Sequence, residues 1–396
     1  MLNEKIKELA KKNLDYVVSL RRELHQHPEL GFQEFKTAAL IKRELEKLGI
    51  EYKSEVAHTG VVGLIKGNHP GKTVLLRADM DALPILEESN VDFKSKIDGC
   101  MHACGHDGHV AGLLGAAMIL NELKDEIHGN IKLVFQPAEE SPGGAEPMIE
   151  EGVLENPKVD AAFGCHIWPA YKGGKVIVKN GDFMAHPSEF IIKVSGRGGH
   201  GSLPELSIDP VVIGAEIIMG IQNVRSRFIS TFDHAVISCT TIHAGNARNI
   251  IPDTLEIGGT VRSFSEDLST EILDKIGQIA TGIAKAYGAE CEYIVERMYP
   301  PLINNEETTD LLRETVKEML GEDALEEMKN PLMGGEDFAY FAQKVPATFF
   351  LVGVRDDAED VESLLHHPRL KWNDKRLVVN SIILAKAALN YLNKNK

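Results

Sequence analysis

The chain has 396 residues, with 43 basic against 59 acidic side chains and a formal net charge of −16. That length exceeds what one hydrophobic core usually serves, so two domains are expected. So acidic a composition argues against DNA, RNA or an anionic membrane as the main partner. Five scattered cysteines do not read as a disulfide framework, and the N-terminus lacks the features of a secretory signal. The expected location is the reduced cytoplasm.

In chain order, helical spacing of Leu, Ile and Val predicts helices near 4–26 and 35–48, the second ending at Leu48-Gly49. Strands follow at 61–66 and 73–79, with a turn over Gly67–Gly71 between them. The second strand leads into Arg77-Ala78-Asp79-Met80-Asp81, carboxylates at a strand end that suit a site or an acidic turn equally. Then Met101-His102-Ala103-Cys104-Gly105-His106-Asp107-Gly108-His109 packs three imidazoles, a thiol and a carboxylate into nine residues. A transition-metal site needs soft and borderline ligands of this density. Cys104 and His106 flank one glycine, so an extended or looped backbone points both to the same side. A helix is expected over 107–123, and its apolar run Val110–Leu120 is too short to cross a bilayer.

Strands are expected at 130–136, 159–166 and 174–179. The first leads to Gln136-Pro137-Ala138-Glu139-Glu140 and the second ends at His166. Adjacent carboxylates project differently, so one can hold metal while the other stays free as a base. An ordinary surface Glu pair and a core histidine are the plain alternatives. After Asn180-Gly181 the pattern changes to strand 188–196, helix 208–227, strands 234–243 and 254–264, helix 267–287 and strand 290–297. A return to α/β character follows, with helix 307–320, strand 347–353 and helix 375–393, and with His366-His367 before Pro368.

The expected fold is therefore α/β. A catalytic domain with a central mixed sheet flanked by helices spans 1–182 and 299–396, and a smaller α+β domain is inserted at 183–298. Together the segments supply Cys104, His106, Glu140, His166 and His366 as ligands, with Asp81 and Glu139 left to orient and to act as base. That set suffices for two metals sharing a bridging group.

In this order the motifs resemble the M20 family of metallopeptidases, in its branch of N-acyl-amino-acid, hippurate and indole-acetyl-amino-acid hydrolases. The likeness runs from about Leu20 to Asn373. It is carried by Arg77–Pro84, His102–Asp107, Gln136–Glu140, Gly198–Gly201 and Met333–Phe338. The resemblance implies that Cys104 replaces a metal-bridging aspartate and that His106, Glu140, His166 and His366 are the other ligands. It makes Glu139 the general base and Asp81 the aspartate that orients a ligand. His366 is favoured by position, with His367 as its competitor. The insert resembles a lid used for dimer contact, so a homodimer or higher homo-oligomer is expected. Its His200 would polarise the substrate carbonyl, Asn249 would be a second oxyanion contact, and Arg262 would receive the substrate's α-carboxylate.

The implied activity is metal-dependent hydrolysis of N-acyl-L-amino acids through an activated water. The cofactor would be two divalent ions, zinc first, with cobalt, nickel and manganese open. The rival is a dipeptidase or carboxypeptidase using the same site. A non-catalytic metal-binding relative would have lost a base or a ligand, and none of those positions is lost.

Overall fold

The computed structural model describes residues 2–356 and 364–396. The chain forms two compact units, one of residues 1–183, 303–330 and 337–396, the other of residues 184–302 and 331–336.

In the first unit, helices α1 (Leu2–Gln26) and α2 (Phe35–Leu48) precede strands β1 (Glu51–Val56), β2 (Gly60–Lys66) and β3 (His69–Asp79). Helix α3 (His106–Asn121) follows, then β4 (His128–Gln136), β5 (Ala161–Lys172) and β6 (Val176–Val178). With strands Leu325–Glu327 and Ala347–Arg355 these form one eight-stranded mixed sheet. At its centre β4, β3, β5 and Ala347–Arg355 run parallel. These central strands carry unbroken buried runs, such as 73–79 of β3 and 161–167 of β5. Burial of both alternating faces requires cover on both sides of the sheet. Helix α3 is buried along 106–120 and packs against α1, the sheet and the C-terminal helix Leu377–Lys394. Its glycines permit the close approach, since a Cβ at Gly112 would lie 2.9 Å from Asn380 Cβ.

The second unit is a four-stranded antiparallel sheet in the order 235–244, 254–263, 186–195, 290–297. Two helices cover it. Pro210–Arg227 starts with Asp209 accepting from Val211 N–H, and Glu266–Ala286 starts with Ser265 accepting from Leu268 N–H. Its core is built from Phe190, Ile192, Ile217, Ile257 and Ile276. No helix of the described residues is long and apolar enough to cross a membrane.

Three expectations change. The turn over Gly67–Gly71 is partly strand, because β3 already begins at His69. Strand β1 was not expected, since its alternation of Glu, Lys and Ser offers no apolar run. The second unit also takes in the later piece 331–336, which no local pattern marks.

Candidate metal centre

Parallel strands deliver their C-terminal ends to one edge of the sheet. In register, Asp79 on β3 stands opposite Gln136 on β4, and Arg77 stands opposite Gly164 on β5. The segments just past those ends are Met80-Asp81 and Pro137–Glu140, and His166 lies two residues beyond Gly164. Helix α3 brings Cys104 and His106 to the same place. Gly105, at φ +87°, forms its N-cap, and a Cβ there would sit 2.3 Å from Ile167 Cδ1. The loop before the C-terminal helix adds His366, whose backbone N–H donates to Ala103 O at 2.8 Å.

The side chains converge. The candidate ligand atoms of Cys104, His106 and His166 lie within 4.8 Å of one another, as do those of Cys104, Glu140 and His366. Cys104 is common to both groups. His166 Nε2 is 3.2 Å from Cys104 Sγ, while its Nδ1 donates to Ile167 O at 2.5 Å, leaving Nε2 as the free lone pair. His106 Nδ1 faces Asp81 Oδ1 at 3.2 Å, which turns Nε2 inward. His366 Nε2 contacts Glu140 Oε1 at 3.2 Å. By contrast His367 Nδ1 accepts from Arg369 N–H within its own turn.

Asp81 organises the carboxylate pair. Its Oδ1 accepts from Glu139 N–H and its Oδ2 from Glu140 N–H, each at 3.0 Å. Glu139 Oε2 stands 4.0 Å from His106 Nε2.

The donor set fits a cation, with Cys104, His106 and His166 buried, Glu140 half-buried and His366 exposed. His106 Nε2 is buried without a hydrogen-bond partner, an arrangement that coordination would relieve. Burial alone would lower the His106 pKa, but Asp79 and Asp81 overcome it and raise the pKa to about 10. Burial first, then Glu140 and Glu139, hold the Cys104 thiol far above its ordinary range. Such excess negative charge around a thiol and imidazoles calls for a soft or borderline divalent ion.

Two residues given no role from sequence are built into the site. Asp79 is fully buried and accepts from Arg77 Nη1 at 2.7 Å and from His109 Nδ1 at 2.5 Å. His109 Nε2 accepts from Ile167 N–H at 2.9 Å. With both nitrogens engaged, His109 braces β5 beside His166. The signal was the alternation of Arg77, Asp79 and Asp81, which puts all three on one side of an extended chain.

The remaining candidates lie in the second unit. His200 is exposed, on a two-residue strand paired with Ile250–Ile251. Its Nδ1 accepts from Ser202 N–H at 3.1 Å and pairs with the Ser202 hydroxyl at 2.7 Å, so the neutral ring carries its proton on Nε2. Asn249 is exposed, and its carbonyl accepts from Gly201 N–H. Arg262 lies on strand Thr254–Ser263, with Nη1 bonded to Val261 O, Ser188 O and the Thr260 hydroxyl.

The family model described as peptidase family M20/M25/M40 matches residues 75–390. Thermostable carboxypeptidase 2 of Saccharolobus solfataricus is 44% identical over 397 aligned residues, covering 99% of this chain and 100% of the relative. The N-acyl-L-amino acid amidohydrolase of Geobacillus stearothermophilus is 43% identical over 308 residues, 78% of this chain and 83% of that one. Among solved structures, the Bacillus subtilis YXEP protein, a dinuclear metal binding peptidase from the M20 family, superposes with a TM-score of 0.82. It is 36% identical, over 97% of this chain and 99% of that chain. The chain belongs to peptidase family M20/M25/M40 and is a metal-dependent amidohydrolase or peptidase.

Proposed function

We propose that this protein hydrolyses the amide bond of N-acyl-L-amino acids, releasing a carboxylic acid and a free amino acid. The observation that carries the reading is the pair of ligand groups sharing the buried Cys104, with the Glu139 carboxylate beside them. Similarity to the Geobacillus amidohydrolase supports the substrate class.

Cys104, His106 and His166 would hold one divalent ion, and Cys104, Glu140 and His366 the other, with Cys104 shared. Thiolate and imidazole favour zinc, with cobalt, nickel and manganese as alternatives. Bound ions supply Lewis acidity toward the amide carbonyl and toward water. Glu139 takes the proton of the attacking water and returns it to the leaving amine. Asp81 keeps that carboxylate aimed through its backbone and fixes the His106 ring. His200 presents an Nε2–H donor for the oxyanion, with Asn249 as the second contact. Arg262 would meet the substrate carboxylate through Nε and Nη2, since Nη1 is engaged in its own sheet. Strand Ala235–Ala244 is an edge of its sheet and is exposed from Thr240 onward, which supports self-association through the second unit.

A carboxypeptidase reading rests on the likeness to the Saccharolobus enzyme. Both reactions liberate an amino acid that bears a free α-carboxylate. The test is release of amino acid from N-acetyl, N-benzoyl and indole-acetyl amino acids beside unblocked dipeptides. Protein stripped of metal and refilled with zinc, cobalt, nickel or manganese is used, and sedimentation reports its oligomeric state. We expect metal-dependent cleavage of the acylated set, reduced on the order of 10²–10⁴-fold in Glu139→Ala. Cleavage confined to peptides would transfer the function to the second reading.

A further inference from the structure

The carboxylates Glu139 and Glu140 sit on a loop that closes on itself. Gly143 N–H donates to Ala138 O at 3.0 Å, and a Cβ on Gly144 would collide with Pro137 O at 1.9 Å. Ala138 has φ +53°, a conformation an alanine keeps only when its surroundings hold it there. Asp81 binds the middle of the loop, and two further buried carboxylates grip its ends.

Glu34, fully buried, accepts from Ala138 N–H at 2.9 Å through one oxygen and from the Thr59 hydroxyl at 2.5 Å through the other. It stands at the N-cap of α2 yet makes no side-chain cap bond. Glu29 does that work, accepting from Lys36 and Thr37 N–H at 2.9 Å each. The Glu34 carboxylate is thus diverted from a helix it could have capped. At the far end Asp337, fully buried, accepts from Gly144 N–H and Ala145 N–H, each at 3.0 Å. Gln136 Nε2 at 2.7 Å and Arg77 Nη2 at 2.8 Å complete its shell. Asp337 belongs to the Met333–Phe338 motif, which neither the metal set nor the base accounts for.

We propose that Glu34 and Asp337 are positioning residues for the reaction. By pinning the two ends of loop 137–145 they keep Glu139 and Glu140 pointing to their separate tasks. The inference rests on the proposed function for its catalytic half, while the pinning itself can be measured without turnover.

Glu34→Leu, Glu34→Gln and Asp337→Asn are compared with wild type in two ways. Amide exchange by mass spectrometry is followed in metal-free protein, and kcat and KM are measured per metal-loaded site. The E34Q side chain keeps an acceptor for Ala138 N–H and a group that can pair with Thr59. We expect Glu34→Leu and Asp337→Asn to speed exchange in the peptide over 137–145 while α3 peptides stay unchanged. Their kcat should fall on the order of 10²-fold with KM nearly unchanged, as for a misplaced catalytic group. Glu34→Gln should restore both. Unchanged loop exchange in Glu34→Leu, or unchanged kcat per loaded site, overturns the proposal. If Asp337→Asn does not fold, the two Glu34 variants decide alone. A wild type that hydrolyses nothing refutes the proposed function, and with it the catalytic half of this one, whereas an active wild type with indifferent variants refutes the positioning role only.

Discussion

Asp81 serves three partners with two oxygens, the His106 ring and the backbone N–H groups of Glu139 and Glu140. Such a residue sets direction, because the base and one candidate ligand are placed by the same carboxylate. Gly105 sets position instead. At φ +87° it turns the chain from Cys104 into His106, and Ile167 leaves no space for a Cβ. Gly105→Ala should therefore cost about 1–3 kcal/mol of backbone strain and push apart two candidate ligands. Metal analysis by mass spectrometry and a thermal melt check this. Full metal content at an unchanged Tm would refute it.

Between elements, α1 and α3 meet through a buried charged cluster behind the metal centre. Arg21 Nε lies 2.7 Å from Asp107 Oδ2, and His25 Nδ1 lies 2.8 Å from the same oxygen. His25 Nε2 reaches Glu87 at 3.2 Å, tying in the segment that follows β3. Burial opposes the charged ring, but Asp107 and Glu87 together outweigh it and raise the His25 pKa. A group raised in the folded state contributes stability that is complete below its unfolded pKa of about 6.5 and is lost as pH climbs through the folded value. Stability measured by urea unfolding should thus decline on the alkaline side of about pH 6.5. His25→Gln should be less stable than wild type and should flatten that decline. Parallel slopes in the two proteins would contradict the assignment.

For the whole molecule, the candidate ligands come from residues 104, 106, 140, 166 and 366, so bound ions would staple segments that the chain separates widely. An ion at a hundredfold excess over its Kd adds about 2.7 kcal/mol to the folded state. Chelation should lower the calorimetric transition of the first unit by several degrees and leave that of the second in place. A melt indifferent to chelator and to added zinc would count against the metal centre. The two units have separate cores, which is why their transitions are expected to respond separately.

The sequence by itself determined the residue types of the centre and most of the elements. Periodicity marks α1, α2 and the central strands, and a thiol with imidazoles at close spacing has few uses other than metal. It also placed Asp81 and Glu139 just beyond strand ends, because a parallel sheet delivers such ends together, whereas His166, expected at a strand end, lies inside β5, which runs on to Lys172. Tertiary structure alone decided which groups meet across long stretches of chain, such as Glu34 with Ala138, Asp337 with Gly144, and His366 with Glu140. It set His366 against Glu140 while His367 Nδ1 accepts from Arg369 N–H, and it engaged both nitrogens of His109. The physical reason is that hydrogen bonds between distant segments leave no periodicity in the sequence, and each is fixed only when the buried donor has no water to turn to.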